Sequence, residues 1–211
     1  MKITNVLREL RNISITKTIW YNFVCSHVER VEKGLILVYK KTTIYFEEGA
    51  KLIIKRGRFQ LGRCLGNRSG TTFRMQKNSI VEINGASIIE YGADILVKQD
   101  AQLVLGDNSY INCWTMIRCH KKITIGDDGF ISSNVDIRDS DGHSLDGICK
   151  TESVYIGDHV WICNGVKVLK GVTINNGSMI GAGAIVTHDI PSNSLAYGIP
   201  ARVMREKITW E

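Results

Sequence analysis

The sequence lacks the features that mark membrane-spanning and secreted proteins. None of its apolar runs approaches the length of a membrane span. Proline is also scarce, with two among the 211 residues. The opening segment carries Arg8, Glu9 and Arg11 where a secretory signal needs an unbroken apolar core. We therefore expect a cytoplasmic protein with no integral membrane segment.

Closely spaced cysteine pairs are also absent. Among the six cysteines, Cys113 and Cys119 lie six residues apart and form no CxxC motif of the kind that binds zinc or carries out redox chemistry. Without a secretion signal, the cysteines of a chain of this size are expected to stay reduced and buried. The sequence therefore predicts no metal site.

Positive charge is spread along the chain and is not gathered into a binding motif. The formal net charge is +6, with 44% hydrophobic and 23% charged residues, which is the balance of a soluble globular protein. Lysine and arginine form no basic helix and accompany no zinc-finger or RNA-recognition signature, so we expect no nucleic-acid partner. A phosphorylated small molecule or an acidic glycan fits the charge at least as well, and so does simple solubility.

What the sequence does contain is a repeat of six residues. From residue 154 it reads VYIGDH VWICNG VKVLKG VTINNG SMIGAG AIVTHD, and the third position is always isoleucine or valine. A helical period of about 3.6 residues would lose this register within two repeats, and a strand period of two would not select one position in six. The repeat predicts a coil with three short strands per turn, one inward aliphatic side chain per strand, and glycine, asparagine or aspartate at the corners.

The repeat extends upstream and defines three regions. The step of six also holds between residues 105 and 117 and between residues 125 and 137, whereas Ile117 and Ile125 are eight apart, so two extra residues should bulge out at Lys121 and Lys122. No repeat is recognisable before residue 46. We predict an N-terminal segment of helix and strand at 1–45 that packs on the coils, the coils themselves at 46–199, and a C-terminal helix at 200–211 that covers the open end of the core.

One long interruption breaks the repeat, and it contains a histidine. Nothing between Ile137 and Ile156 offers an aliphatic pair at the right phase, so residues 138–153 should leave the wall as an extruded loop. His143 lies in this loop among Asp139, Asp141 and Asp146. An imidazole is a good general base near neutral pH, although most loop histidines are merely solvated.

A family resemblance adds a fold and an activity to this pattern. The run IGDHVWICNGVKVLKGVTINNGSMIGAGAIVTHDIPSNSLAYGIPARVMRE resembles the C-terminal part of hexapeptide-repeat acyltransferases, which include galactoside and maltose acetyltransferases and many bacterial surface-polysaccharide O-acetyltransferases. The resemblance covers roughly residues 103–206. It implies an all-β fold, a left-handed parallel β-helix, and a homotrimer with active sites between subunits. It also implies acetyl coenzyme A as cosubstrate and a saccharide acceptor.

The resemblance assigns roles to individual residues. His143 matches the histidine base that takes a proton from the acceptor hydroxyl, and a backbone N–H on a neighbouring coil would stabilise the oxyanion. On the acceptor side it implicates Asn112, His120, Asp141 and Trp161, although His120 departs from the acidic residue that the galactoside enzymes carry, and Asn112 could equally be a structural corner. For the coenzyme it implies Asn164, Ala182, Thr187, His188, Arg202 and Arg205. His188 stands where the family usually has lysine, and we expect the two arginines to share one face of the C-terminal helix.

Several alternatives remain open on the sequence. The same scaffold could acetylate an amino group of a sugar instead of a hydroxyl. A cysteine nucleophile, Cys149 or Cys163, could pair with His143. A zinc enzyme of the carbonic anhydrase type would need a close H-x4-H pair, which the five histidines do not form. A non-catalytic β-helix would have no reason to extrude a histidine loop.

Overall fold

The computed structural model describes residues 10–64, 69–144 and 146–211. The described chain winds through three parallel sheets, passing from the first sheet to the second and then the third in every coil. The first sheet contains β1 (Val28–Arg30), β4 (Lys51–Ile54), β7 (Ile80–Ile83), β10 (Gln102–Leu105), β13 (Lys122–Ile125), β16 (Val154–Ile156) and β19 (Thr173–Ile174).

The second and third sheets complete each coil. The second sheet contains β2 (Leu35–Val38), β5 (Arg58–Arg63), β8 (Ser87–Glu90), β11 (Tyr110–Ile111), β14 (Phe130–Ile131), β17 (Trp161–Ile162), β20 (Met179–Ile180), β22 (Ser194–Gly198) and β23 (Ala201–Glu206). The third sheet contains β3 (Thr42–Phe46), β6 (Thr71–Met75), β9 (Asp94–Val97), β12 (Met116–Cys119), β15 (Asp136–Arg138), β18 (Lys167–Val168) and β21 (Ile185–Val186). The three-sided parallel β-helix predicted from the repeat is confirmed.

The core is the column of aliphatic side chains that the six-residue repeat predicts. In the second sheet Ile111 pairs with Ile131, which pairs with Ile162 in the next coil, and all three are fully buried. The corners take left-handed backbone conformations, for example at Asn108 and Asn134, where φ is 54° and 56°. Stacked β-branched residues thus exclude water along the axis, and the asparagines tolerate the positive φ that each corner requires.

Two of the predicted boundaries are wrong. The coils do not begin at residue 46, because β1, β2 and β3 already form the first coil and pair with β4, β5 and β6. Residues 200–211 do not form a helix. Instead β23 turns back from β22 and pairs with it antiparallel, so a hairpin and not a helix supplies the last hydrogen-bonded strand of the second sheet.

The N-terminal segment does contain the predicted helix, α1 (Ile15–Phe23), and it caps the outermost strand of the second sheet. The Asn22 side chain donates to the carbonyl of Ile36 at 2.7 Å and accepts from its N–H at 3.1 Å. The Thr18 hydroxyl accepts from the N–H of Val38 at 3.1 Å. Two helix side chains therefore satisfy backbone groups that the open edge of β2 would otherwise leave unpaired.

We expect Asn22→Ala to lower the free energy of unfolding by about 2 kcal/mol, because the buried edge of β2 then loses both partners at Ile36. Urea unfolding would measure the change. Thr16→Ala is the matched control on the exposed side of α1, and a substitution there should stay within about 0.5 kcal/mol of the parent. Equal effects of the two substitutions would show that the Asn22 bonds do not hold the cap.

In the described part of the chain, no helix has both the length and the apolar character needed to cross a membrane.

Candidate active site

The predicted loop leaves the wall where the chain passes from the third sheet to the first. Hydrogen bonds join its first and last residues to each other. Ser140 and Thr151 form an antiparallel bridge, and the Thr151 hydroxyl donates to the Ser140 hydroxyl at 2.9 Å. Below the bridge, the N–H of Glu152 donates to the carbonyl of Asp139 at 2.9 Å. The extruded loop is therefore confirmed from Asp139 onward, whereas Arg138, its predicted first residue, still belongs to β15. The base of the loop is fixed, although its outer residues that the structure describes are exposed.

Asp139 anchors this loop to the coil below. Its side chain is fully buried, and its carboxylate accepts from the backbone N–H of His120 at 2.7 Å and from those of Lys121 and Lys122 at 2.8 Å each. These three groups belong to the turn of the predicted two-residue bulge, where both lysine side chains are exposed as expected. One carboxylate thus fixes the bulge and the base of the loop together.

Two of the three aspartates that lie near His143 in the sequence have other partners. Asp139 faces the bulge, and Asp141 forms an ion pair with Lys170 at 2.7 Å. His143 itself is exposed near the tip of the loop. Neither of these contacts involves the His143 ring.

Most of the predicted site residues fall on two edges of the β-helix, and the other three, Trp161, Arg202 and Arg205, lie on strands of the second sheet. The loop edge, where the chain leaves the third sheet (residues 120–121, 139–153, 169–172 and 187–189), carries His120, Asp141, His143, Thr187 and His188. The glycine edge, where the chain leaves the second sheet (residues 112–115, 163–166 and 181–184), carries Asn112, Asn164 and Ala182. Within one chain the third sheet lies between Asn112 and His143.

On the loop edge, His120 is half-buried and its electrostatic surroundings favour the neutral ring. Burial lowers the pKa of His120 below the ordinary histidine value, and this outweighs the opposite effect of Asp139. Lys98, Arg118 and Arg138 lower it further by charge repulsion. An uncharged imidazole can both donate and accept a hydrogen bond, as a contact to a sugar hydroxyl requires. Further along the edge, the Thr187 hydroxyl lies 2.8 Å from Nδ1 of His188.

On the glycine edge, Asn164 and Ala182 are exposed in successive coils. The Asn164 side chain donates to the carbonyl of Ser133 at 2.9 Å, and the N–H of Gly183 donates to the carbonyl of Asn164 at 2.9 Å. A Cβ placed on Gly183 would meet no atom within 4 Å, so the backbone beside Ala182 is open to a ligand. Asn112 is half-buried and accepts from the N–H of Cys113 at 2.7 Å, which is the structural corner role that the sequence left open.

Trp161 lies on the outer face of the second sheet, as its place in the repeat predicts. Its indole N–H donates to the Ser132 hydroxyl at 3.1 Å, and its ring packs edge-on against Phe130 and at an angle to Trp210. Trp210 in turn stacks on His159, with ring centres 3.9 Å apart. The aromatic cluster ties the C-terminal tail to the face that also carries the two arginines.

Arg202 and Arg205 share a face for a reason that differs from the predicted one. They lie on β23, where alternation would point residues three apart in opposite directions. A β-bulge between Leu195 and Ala196 shifts the register, so that Arg202 pairs with Tyr197 and Arg205 pairs with Leu195. Leu195 and Tyr197 are two apart on β22, so both exposed arginines are presented on the outer face of the second sheet.

The six cysteines form no disulfide with one another, and four of them are buried: Cys64, Cys113, Cys119 and Cys163. Burial raises the pKa of the Cys163 thiol, which keeps it protonated and weakly nucleophilic at neutral pH. Cys149 contradicts the expectation that every cysteine is buried, because it is exposed in the loop, 3.9 Å from the Ser140 hydroxyl. Of the two cysteines considered as nucleophiles, Cys163 is therefore the poorer candidate.

We expect iodoacetamide at neutral pH to modify Cys149 at least about tenfold faster than Cys163, because Cys149 is exposed whereas Cys163 is buried and its thiol pKa is raised by that burial. Peptide mass spectrometry after timed quenching measures both rates on the same sample. Comparable rates would mean that Cys163 is open to solvent and ionised, and would restore it as a candidate nucleophile.

The repeat sequence has a counterpart among known families. Residues 153–188 match the family described as bacterial transferase hexapeptide (six repeats). This matched segment holds six of the repeats read from the sequence, and it shows what that part of the chain is similar to.

The chain is also similar to individual acetyltransferases and acyltransferases. It is 41% identical to galactoside O-acetyltransferase of Escherichia coli over 108 residues, which are 48% of this chain and 53% of that enzyme. The chain therefore spans about half the length of this relative. The solved structure of NeuO, the polySia-specific acetyltransferase, has 25% identity and a TM-score of 0.62 over 89% of this chain and 90% of its own. AntD, an N-acyltransferase from Bacillus cereus, shares the fold at 17% identity and a TM-score of 0.62, over 93% of this chain and 91% of its own.

Sequence reasoning missed the part that Asp139 plays in joining the loop to the bulge. Ile117 pairs with Ile137 and Arg118 with Arg138, so the register places Asp139 directly over Cys119, beside the bulge. The spacing of the repeat could therefore have predicted that Asp139 lies one coil above the two extra residues. The contacts of Trp210 with His159 and Trp161 gave no such indication, because the tail lies outside the repeat.

Proposed function

We propose that this protein is an acetyl-coenzyme-A-dependent O-acetyltransferase that acetylates a sugar hydroxyl in bacterial surface-polysaccharide biosynthesis or modification. The observation that carries the proposal is His143, exposed on a loop whose base is anchored by Asp139 in a hexapeptide-repeat domain. An exposed imidazole on a loop that is rigidly attached to the wall is the arrangement expected of a positioned general base.

The proposed reaction is a direct transfer with one proton carrier. His143 takes the proton from the acceptor hydroxyl as that oxygen bonds to the thioester carbonyl carbon. When the tetrahedral intermediate collapses, the carbon–sulfur bond breaks and His143 returns the proton to the departing thiolate. Removing one oxyanion donor costs about 3 kcal/mol in enzymes where it has been tested, and a backbone N–H would fill that role here. No covalent enzyme intermediate is needed.

Residues of both edges and of the second sheet would hold the acyl donor, which supplies an acetyl thioester. The open backbone at Ala182, beside Asn164, fits the narrow pantetheine arm. Thr187 and His188 would lie along its path. Arg202 and Arg205 are exposed on one face, where a guanidinium can bind phosphate oxygens in a bidentate manner.

A homotrimer with active sites between subunits accounts for the distribution of the acceptor residues. Asn112 and Trp161 do not share an edge with His120, Asp141 and His143 in one chain. If the glycine edge of one subunit faced the loop edge of another, these groups could converge on one acceptor. The trimer is therefore part of the proposal.

Hydroxyl acceptors are favoured by the named relatives, and an amine acceptor is the alternative. Galactoside O-acetyltransferase and the polySia-specific enzyme have names that specify sugar acceptors. AntD, which is an N-acyltransferase, has the same fold. Acetylation of an amino sugar, free or nucleotide-linked, is thus the second candidate function.

Two measurements test the proposal. Calorimetry with coenzyme A should give saturable binding at or below millimolar ligand, and its absence would remove the enzymatic proposal. Thiol release from acetyl coenzyme A should then be compared for sugars that differ only in a hydroxyl or an amino group at one carbon. Turnover restricted to the amino sugars would replace O-acetylation by N-acetylation.

A further inference from the structure

We infer that the N-terminal end of the β-helix is a docking surface for an anionic lipid bilayer. The surface, here called the cap face, consists of the exposed apolar residues on and beside α1: Leu10, Ile15, Ile19, Trp20, Phe23 and Val24. Each is more than half exposed, from 53% at Ile19 to 70% at Ile15 and Phe23. Soluble proteins rarely leave so many large apolar side chains together in water without a partner for them.

The cap face is held outward by the polar side of the same helix. Thr18 and Asn22 lie four residues apart and bond to the edge of β2, as described above. Ile15, Ile19 and Phe23 repeat at the same spacing of four on another side of α1. Rotating the helix to bury them would break the Asn22 and Thr18 bonds, so the apolar face cannot turn inward at low cost.

Charge identifies the partner as an anionic surface. Residues 10–41 contain six lysines or arginines and two glutamates, a formal charge of +4 out of +6 for the whole chain. The guanidinium of Arg30 lies 4.6 Å from the centre of the Phe23 ring, and Arg11 and Lys33 are also exposed at this end. Basic residues around a tryptophan and a phenylalanine are typical of helices that lie in the headgroup region of a membrane.

A second copy of the chain is a poorer occupant. Two cap faces brought together would each bring the +4 charge of residues 10–41, and like charges in contact oppose association. A helix of nine residues would lie on a bilayer and not cross it, since crossing takes about 20 residues. The inference is thus one of peripheral attachment.

Docking would place the reaction at a fixed height above the lipid, a consequence that rests on the proposed function. Strand β15 leads into the His143 loop. In the third sheet it is four strands away from β3, which belongs to the first coil. Strands are about 4.8 Å apart, so the loop base would stand about 19 Å along the axis from the first coil. That height suits a saccharide chain whose far end is attached to a membrane lipid.

Vesicle co-sedimentation of the full-length protein tests the inference. We expect binding to vesicles of equal parts phosphatidylglycerol and phosphatidylcholine, little binding to phosphatidylcholine alone, and a marked loss on adding salt. Ile19→Glu or Phe23→Glu should weaken partitioning at least about tenfold. Ile199→Glu is the matched control, because Ile199 is 73% exposed but lies between β22 and β23, at the other end of the second sheet.

Three results would overturn the inference: no binding to the anionic vesicles, equal loss for the Ile199 control, or a changed oligomeric mass of the Ile19 and Phe23 variants. The last would mean that another copy covers the cap face. A soluble acceptor separates this inference from the proposed function, because the variants should keep full turnover on it. Vesicle binding without any acetyl transfer would contradict the proposed function alone. Acetyl transfer without vesicle binding would contradict the docking alone.

Discussion

Replacing His143 by alanine should reduce turnover by about two to four orders of magnitude while leaving the affinity for coenzyme A nearly unchanged. The imidazole is exposed on the loop, and no hydrogen bond or ion pair seen among the described residues depends on its side chain, so its removal should not disturb the wall. The loss should therefore appear in the chemical step. Steady-state thiol release would give the rate, and calorimetry would give the binding constant.

His27→Ala is the matched control for this variant. His27 stacks on Phe46 with ring centres 5.0 Å apart, and its Nδ1 lies 2.8 Å from the carbonyl of Ala50, both contacts in the first coil. Its removal should change the rate by no more than about twofold, since it is remote from any candidate site residue. If the His143 variant kept more than about a tenth of the parental rate, the base would have to be another group. Equal losses in rate and in coenzyme affinity would point to a binding role.

The fold was predictable where the coils are regular and not elsewhere. Vertically stacked residues are 18 apart in the last coils, as for Tyr155 and Thr173, and there the repeat is unbroken. Near the N-terminus Val28 stacks on Leu52 and Leu52 on Val81, which are spacings of 24 and 29. Longer strands and corners hide the period, and this explains why the first coil was assigned to a separate segment.

The C-terminal error has a different cause. The tail sequence ARVMREKITW is compatible with a helix, and local preference was the only guide to it. The exposed edge of β22 decides the outcome, because its backbone groups need partners and β23 supplies them antiparallel. Tertiary pairing at a sheet edge leaves no mark in the local sequence. The prediction that Arg202 and Arg205 share one face is still correct, but only because the β-bulge shifts the register of the hairpin.

The candidate site was predictable as a list of residues but not as an arrangement. The interruption located the loop and His143, because a rigid repeat makes any insertion conspicuous. The split of the acceptor residues between two edges depends on where each corner falls, and the commitment of Asp139 to the bulge depends on the register between coils. Both require the stacked coils and not the linear pattern.

Asp139→Ala should be the most damaging single substitution for stability among the residues around the loop. The carboxylate is fully buried and accepts from three backbone N–H groups, those of His120, Lys121 and Lys122. Each buried donor left without an acceptor costs about 1–3 kcal/mol, so the variant should lose at least about 3 kcal/mol of unfolding free energy. Urea unfolding would measure this loss. Asp139→Asn keeps one acceptor oxygen and should fall between the parent and the alanine variant.

Asp141→Ala is the matched control for Asp139→Ala, because it removes a carboxylate of the same loop that does not anchor the loop to the coil below. Asp141 lies two residues further along the same loop, but it is 47% exposed and its partner is the single ammonium of Lys170. Exposed pairs of this kind contribute less than about 1 kcal/mol, so its loss should hardly move the urea midpoint. The Asp139 variants should also lose turnover even under conditions where they stay folded, because the carboxylate ties the base of the His143 loop to the coil below. If Asp139→Ala and Asp141→Ala unfolded at the same urea concentration, the base of the loop would have to be held by the Ser140–Thr151 bridge instead.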